Sequence, residues 1–342
     1  MLDVNDFVMK QIIVFQPAKG DKLAFRNQNI VIKDKDGKVK YQHTCYRIFM
    51  LLIIGDCSIT SGLIRLSKKF GFSICFMTYS YRFYAVIGNG LEGNNYLHKK
   101  QYMYEGTELG RIIILNKIIN QKETLNKVRN KSEYIVEGIQ MLDTYIDNLL
   151  NNHNMDLRTI LGYEGNAARV YFSRVFDNVA WNSRKPRIKF DYVNSTLDIG
   201  YTILFSFIEC ILRVYDFDVY QGVLHTNFYM RKSLVCDLME PFRPIIDYKI
   251  RKGINLGQFK KEDFVVLKNQ WNLQYKLSSI YASKFMEELL ENKESIFLYL
   301  RSYYRAFMKE KSIEQFPIFR IGDKKMTTLE LIRKEQYDNS KL

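Results

Sequence analysis

The chain is poor in the residues that would make its function easy to place. It has five cysteines in 342 residues, at positions 45, 57, 75, 210 and 236, and no two of them form a CxxC pair. An odd, scattered set argues against a disulfide framework or a thiolate zinc site. The first residues, MLDVNDFVMK, carry acids where an export signal needs bases. The longest purely apolar run, Ile48 to Ile54, is far too short to cross a bilayer. The expectation is therefore a cytoplasmic protein with no membrane association. Only four histidines occur, and no glycine-rich loop of the kind that cradles nucleotide phosphates is found.

Positive charge is plentiful instead. Lys and Arg number 51 against 37 Asp and Glu, a formal charge of +14. Such an excess attracts polyanions, since neutralising phosphates releases condensed counterions, and it would attract an anionic membrane surface too, so charge alone does not decide. The apolar fraction of 47% leaves ample material for a core.

The hydrophobic period divides the chain in two. Residues 10 to 90 read as short strands, among them QIIVFQ, KLAFR, NIVIK and KVKYQ, with Asp36-Gly37 as a hairpin turn. RIFMLLII is apolar on both faces, as a buried strand requires. One helix, SGLIRLSKK, follows Ser58 or Thr60 as cap and stops at Gly71. From about Tyr96 the spacing changes to threes and fours, which predicts seven to nine helices. The joint lies in IGNGLEGNN. The predicted class is α+β: a mixed β-sheet domain over 1–88, a linker over 89–95 and an all-helical domain over 96–342.

Among possible chemical groups, Asp237 and Glu240 stand three residues apart in SLVCDLMEPFRP. On a helix they are about 60° apart with a rise of about 4.5 Å, so they share a face. Their neighbours Leu234, Val235, Leu238 and Met239 are apolar, so these acids need a cation or an arginine such as Arg243. His225 lies about 22 Å from Glu240 along an unbroken helix, and joins the acids only if its loop folds back. Gly222 and Asn227 permit that, and Pro241 weakens the helix after Glu240. A further candidate, Glu164, sits among the small residues Gly162, Gly165, Ala167 and Ala168, which allow either close helix packing or the approach of a ligand. One imidazole with carboxylate oxygens suits Mg²⁺ or Mn²⁺ better than zinc.

Taken in order, VFQPAKGDKLAFRNQNIVIKDKDGKVK, GDCSITSGLIRLSKKFGFSICFMT, YEGNAARVYF, NSTLDIGYTIL, GVLH and SLVCDLMEPFRP resemble the CRISPR-associated integrase of the adaptation module. The first two segments look closest to versions found beside type V effector nucleases. The resemblance implies a β-domain followed by a helical domain, homodimers, and two such dimers bridged by a small ferredoxin-like partner. It implies metal ligands at Glu164, His225 and Glu240, with Asp237 as auxiliary acid. A Gly-Leu-Asp/Asn-Pro turn common in the family is replaced here by DFDVYQG.

The implied reaction is transesterification: the 3′-hydroxyl of a short double-stranded DNA attacks a phosphodiester at the edge of a CRISPR repeat. Basic residues beside aromatics would hold the DNA: Arg184, Lys185, Arg187 and Lys189, then Lys249, Arg251 and Lys252, with Arg243 beside the acids. Two alternatives stand beside this reading, a branched-DNA repair nuclease using the same site and a non-catalytic DNA-binding scaffold.

Overall fold

A computed structural model describes residues 10–88, 93–179, 181, 183–226, 228–323 and 327–328. Two compact units emerge: residues 1–95 with 206–217, and residues 96–205 with 218–342.

In the first unit, β1 (Gln11–Phe15), β5 (Ile48–Ile54), β6 (Ser73–Met77) and β7 (Phe83–Gly88) form a four-stranded sheet in the order β1-β5-β6-β7. The first three are parallel and β7 is antiparallel to β6. Parallel neighbours need a crossover, and the helix α1 (Ser61–Phe70) supplies it between β5 and β6. Thr60 caps α1 by accepting from the amide of Leu63, and Gly71 ends it at φ 72°, a left-handed position that costs glycine little.

β2 (Lys22–Arg26), β3 (Asn29–Lys33) and β4 (Val39–Thr44) form a separate antiparallel sheet. Sequence reading merges all seven strands into one mixed sheet, and burial explains the split. β5 and β6 are buried at every position and belong inside a covered sheet, whereas β4 is exposed along most of its length. Residues from both sheets, including Ile13, Ile30, Ile32, Leu51 and Ile74, share one core.

The expected linker falls mostly on residues 89–92, outside the described residues. The first unit also takes in residues 206–217, because the Phe83 amide donates to Ser206 Oγ at 3.1 Å and the Asn94 amide to Asp216 at 2.7 Å.

Among the described residues the remaining helices are α2 (Asn95–Met103), α3 (Glu108–Asn126), α4 (Glu133–Asn151), α5 (Leu157–Val175), α6 (Tyr192–Val214), α7 (Ser233–Met239), α8 (Arg243–Asn255), α9 (Ser278–Glu291) and α10 (Lys293–Met308), which belong to the second unit except for residues 206–214 of α6 and the first residue of α2. The second region is thus mostly helical, with the addition of a hairpin of β8 (Phe264–Leu267) and β9 (Gln270–Leu273). Its turn, Lys268-Asn269, has φ of 50° and 60°, the two-residue geometry that matches strand twist.

Helix α3 is buried nearly all round, polar residues included. Asn116 and Asn120 spend their amides on the backbone of Phe319 and Ile321, so a helix with polar side chains can lie inside. The same burial places the ammonium of Lys117 in the interior.

Helices α5, α6 and α8 meet at one buried acid. Asp247 of α8 accepts from Tyr171 Oη of α5 at 3.1 Å and from Tyr201 Oη of α6 at 2.5 Å. Burial pushes its carboxyl up to about 6, against the pull of the two phenols and of Arg243 and Arg184. The ordinary aspartate value is 3.8, so between 3.8 and about 6 the folded chain holds a proton that the unfolded chain has released. Stability contributed by this group therefore falls as pH rises through that window, by on the order of 3 kcal/mol. Asp247→Asn removes this loss. Urea unfolding at pH 4 and pH 7 should show the stability difference shifting in favour of the variant by about that amount at the higher pH; a difference that does not change with pH refutes the account.

Candidate functional site

The residues with chemical potential lie within the second unit. Glu240 follows α7 directly and opens a short 3-10 turn, Glu240–Phe242, that holds Pro241. Proline cannot donate an amide to continue the α-helix, so the chain tightens and restarts as α8 at Arg243. The kink sends the two neighbouring acids to different partners.

Asp237 is fully buried and turned toward the segment that carries His225. Its Oδ2 accepts from the amides of Val223 at 2.7 Å and Leu224 at 3.0 Å. Its Oδ1 accepts from the amide of His225 at 3.1 Å and pairs with His225 Nδ1 at 2.6 Å. Four donors on one carboxylate fold this loop back onto α7, the arrangement that an unbroken helix would forbid. Nδ1 is thereby spent on Asp237, which leaves Nε2 as the ring nitrogen available to another group.

Two glycines make the close fold possible. A Cβ on Gly222 would lie 2.7 Å from Ser233 Cβ and 2.8 Å from Asp237 Oδ2, and one on Gly110 of α3 would lie 3.2 Å from the Val223 carbonyl oxygen. Asn227, expected as a breaker, lies outside the described residues.

Glu240 is buried as well. Arg243 Nε lies 2.9 Å from its Oε1 and Lys117 Nζ 2.8 Å from its Oε2. Lys117 also pairs with Glu164 Oε1 on α5. Because one ammonium touches both carboxylates, their oxygens are no farther apart than two ion-pair contacts. Burial alone would raise the Glu240 carboxyl, but Arg243 and Lys117 outweigh it and, with His225 contributing, hold it at about 2. Burial likewise disfavours the Lys117 charge, and the carboxylates of Glu240 and Glu164 overcome it, raising the lysine above its ordinary value. Buried Oε2 of Glu240 nonetheless lacks a well-aligned hydrogen-bond donor, so the ammonium satisfies it by charge rather than by direction.

Among the described residues, no three His, Cys, Asp or Glu side chains converge closely enough to hold a divalent cation. The two glutamates instead converge on a cation already, Lys117, and His225 lies close enough to Glu240 to act on it electrostatically. Carboxylate oxygens and an imidazole are donor types that a hard ion of the Mg²⁺ or Mn²⁺ kind takes, yet here both carboxylates already face Lys117, and Glu240 faces Arg243 as well. Asp237, with all its contacts spent on the loop, orients the histidine.

Around Glu164, α5 is open. A Cβ at Gly162 or Gly165 would meet nothing within 4 Å. The two glycines thus leave their part of the helix accessible, while Ala167 is fully buried in the packing of α5.

The basic residues divide. Arg251 is buried and donates to the Val175 carbonyl at 2.6 Å and to Asp177 at 2.5 Å, so it fastens the end of α5. Arg184 binds Asp198 at 2.6 Å and Asn194 at 3.0 Å, which shapes the 184–189 turn. Lys249 pairs with Glu288 at 3.1 Å. Lys185 lies 3.6 Å from the centre of the Phe190 ring, Lys189 reaches Asn272 at 2.8 Å, and Arg187 and Lys252 are exposed.

Sequence reasoning missed Lys117. Its signal was a lysine inside the apolar run IIILNKIIN, where a solvated position is not available.

Three comparisons bear on these features. The family model described as CRISPR associated protein Cas1 matches residues 14–288. The CRISPR-associated endonuclease Cas1 1 of Archaeoglobus fulgidus is 27% identical over 305 residues, covering 81% of this chain and 86% of the relative. Among solved structures, the fold resembles a chain from a partial Cas6-RT-Cas1–Cas2 complex, with a TM-score of 0.73 at 20% identity over 90% of this chain and 98% of the other. It also resembles a casposase bound to integration product, with a TM-score of 0.62 at 20% identity over 97% and 100%.

The loop geometry makes a prediction of its own. Asp237→Ala strips an acceptor from three backbone amides and from His225, and should lower stability by on the order of 3 kcal/mol. Hydrogen exchange should show the amides of Val223, Leu224 and His225 losing protection while those inside α3 keep theirs. Unchanged protection at 223–225 would show that the carboxylate does not hold the loop.

Proposed function

The chain belongs to the CRISPR-associated Cas1 family, the integrases and endonucleases of CRISPR adaptation, and from that premise we propose that it joins the 3′ ends of short DNA duplexes into a CRISPR repeat by metal-dependent transesterification. The observation that carries the reading is the convergence of Glu164 and Glu240 on one cation beside an imidazole oriented by a buried carboxylate.

In this reaction the 3′-hydroxyl oxygen forms a bond to a target phosphorus, and the bond from that phosphorus to the 3′-oxygen of the adjacent nucleotide breaks. One phosphodiester replaces another, so no nucleotide hydrolysis is needed. Glu164, Glu240 and His225 Nε2 would hold Mg²⁺ or Mn²⁺, which when bound neutralises charge on the phosphate and favours ionisation of the attacking hydroxyl. Asp237 keeps the Nδ1 hydrogen of His225 in place, so that Nε2 faces the site as a lone pair. Arg243 holds Glu240 in its ionised form and adds positive charge near the phosphate. The open face of α5 at Gly162 and Gly165 lets a sugar-phosphate backbone approach Glu164 without meeting a side chain.

DNA would be held through its phosphates by Lys185, Arg187, Lys189 and Lys252, with Arg184 and Arg251 supporting these surfaces from within. The proposed assembly is a homodimer with two dimers bridged by a small ferredoxin-like partner, acting in the cytoplasm. The fold-level likeness to a chain of a Cas1–Cas2 complex is consistent with that assembly.

Charge and chemistry should separate on mutation. Glu240→Gln and Glu164→Gln should bind a duplex as well as the wild type or slightly better, because each removes a negative charge, yet fail to join its 3′ end in Mg²⁺ or Mn²⁺. A gel-shift titration paired with a strand-joining assay reads both, and wild-type joining by Glu240→Gln would remove the site. A substrate with a blocked 3′ end separates joining from the junction-cutting alternative, since only a nuclease acts on it.

Gly165→Ala offers a sharper contrast. In an open helical position alanine should stabilise the chain by about 1 kcal/mol, while the added methyl stands where DNA must pass. A higher melting temperature with joining reduced at least tenfold is expected; unchanged joining would mean that this face is not the DNA path.

A further inference from the structure

We propose that Lys117 is a resident counter-cation which keeps the divalent ion out of this site until DNA arrives, so that metal loading is coupled to substrate binding. The inference rests on the reading of Glu164 and Glu240 as ligands and concerns how their occupancy is controlled.

The charges come first. Two carboxylates, Glu164 and Glu240, face two cations, Lys117 and Arg243, so this inner set is neutral before any ion enters. In most divalent sites the unfilled ligands repel one another, and relief of that repulsion drives binding. Here the lysine has already relieved it. An incoming ion must displace an ammonium that stands in the place where the two glutamates converge.

The displaced ammonium is then the difficulty. Lys117 rises from the middle of α3, a helix buried nearly all round, and its side chain is 8% exposed. A buried ammonium stripped of its anions is costly, so it needs another anion at once. Among the described residues Lys117 has no acid partner besides Glu164 and Glu240. A DNA phosphodiester supplies what is missing: an anion for the released ammonium and a further oxygen ligand for the ion. Free metal and free protein therefore bind each other weakly, and the duplex strengthens the binding. Lys117 ends as a positioning residue turned from the glutamates to the phosphate.

Two features of the site fit this exchange. Lys117 aligns a hydrogen bond with Glu164, while its contact with Glu240 Oε2 at 2.8 Å is an ion pair, so the ammonium is held chiefly at the Glu164 end. Glu164 itself has a side chain 29% exposed on the open face of α5, where the duplex would come in.

The test measures Mn²⁺ binding directly, by the loss of the free-ion paramagnetic resonance signal. It uses the full-length protein with and without a duplex bearing dideoxy 3′ ends, and subtracts the signal of DNA alone. The wild type should bind Mn²⁺ at least about tenfold more tightly with the duplex present. Lys117→Met should bind it at least about tenfold more tightly than the wild type without DNA, and gain much less from adding it. Lys117→Gln, a polar neutral substitute, should behave the same way and guards against misfolding of the first variant. In thermal melts both variants should be less stable than the wild type in chelator, yet be raised more by Mn²⁺.

If both lysine variants bind Mn²⁺ no better than the wild type while Glu240→Gln abolishes binding, the coupling is overturned and the metal centre stands. If Glu164→Gln and Glu240→Gln bind Mn²⁺ like the wild type, the metal centre itself is refuted and the coupling with it.

Discussion

A carboxylate removed from water has to be met by donors or cations, and in the helical unit three such acids organise the interior. Asp237 gathers the amides of 223–225 and the histidine ring. Glu240 draws Lys117 and Arg243. Asp247 joins the phenols of α5 and α6 to α8. Each satisfies the same requirement in a different currency, backbone amides, charges and hydroxyls. Together they fix where a loop, a kinked helix and two long helices meet. Glu164 and Glu240, far apart in sequence, meet at one shared partner, Lys117, and Asp237 anchors the loop that carries His225.

The three acids also differ in what they leave available. Asp237 is consumed by its four contacts and Asp247 by its two phenols, so both serve position. Glu240 retains an oxygen without a directed donor, and Glu164 is reached from an open helix face. A group that remains reactive in a folded protein is one whose partners can be exchanged. The partner between these two is a lysine, hydrogen-bonded to Glu164 and paired by charge with Glu240. The basic residues follow the same rule. Arg251 and Arg184 are spent inside the fold, while Arg187 and Lys252 remain open to an outside anion.

Much of the architecture was legible because it depends on local periodicity. The alternating and doubly apolar strand runs, the Thr60 cap, the Gly71 stop and the change of spacing near Tyr96 all act within a few residues of themselves. The candidate acids and His225 were also legible, since an acid amid apolar neighbours needs a partner wherever the chain goes. The division of seven strands into two sheets was not legible, because it turns on which faces become covered. Nor was the inclusion of 206–217 in the first unit, which rests on contacts over more than a hundred residues of sequence.

By itself, then, the sequence determined the α+β class, the surplus of positive charge, the residue types able to hold a hard cation, and the family resemblance that the comparisons bear out. Only the tertiary structure decided that Asp237 and Glu240, neighbours on paper, answer to different partners, and that Lys117 stands between Glu164 and Glu240. The reason is that burial is a property of the assembled helices. A lysine among isoleucines carries no sign of which carboxylates will reach it, and the chain chose them only when α3, α5 and the turn at Pro241 closed around one ammonium.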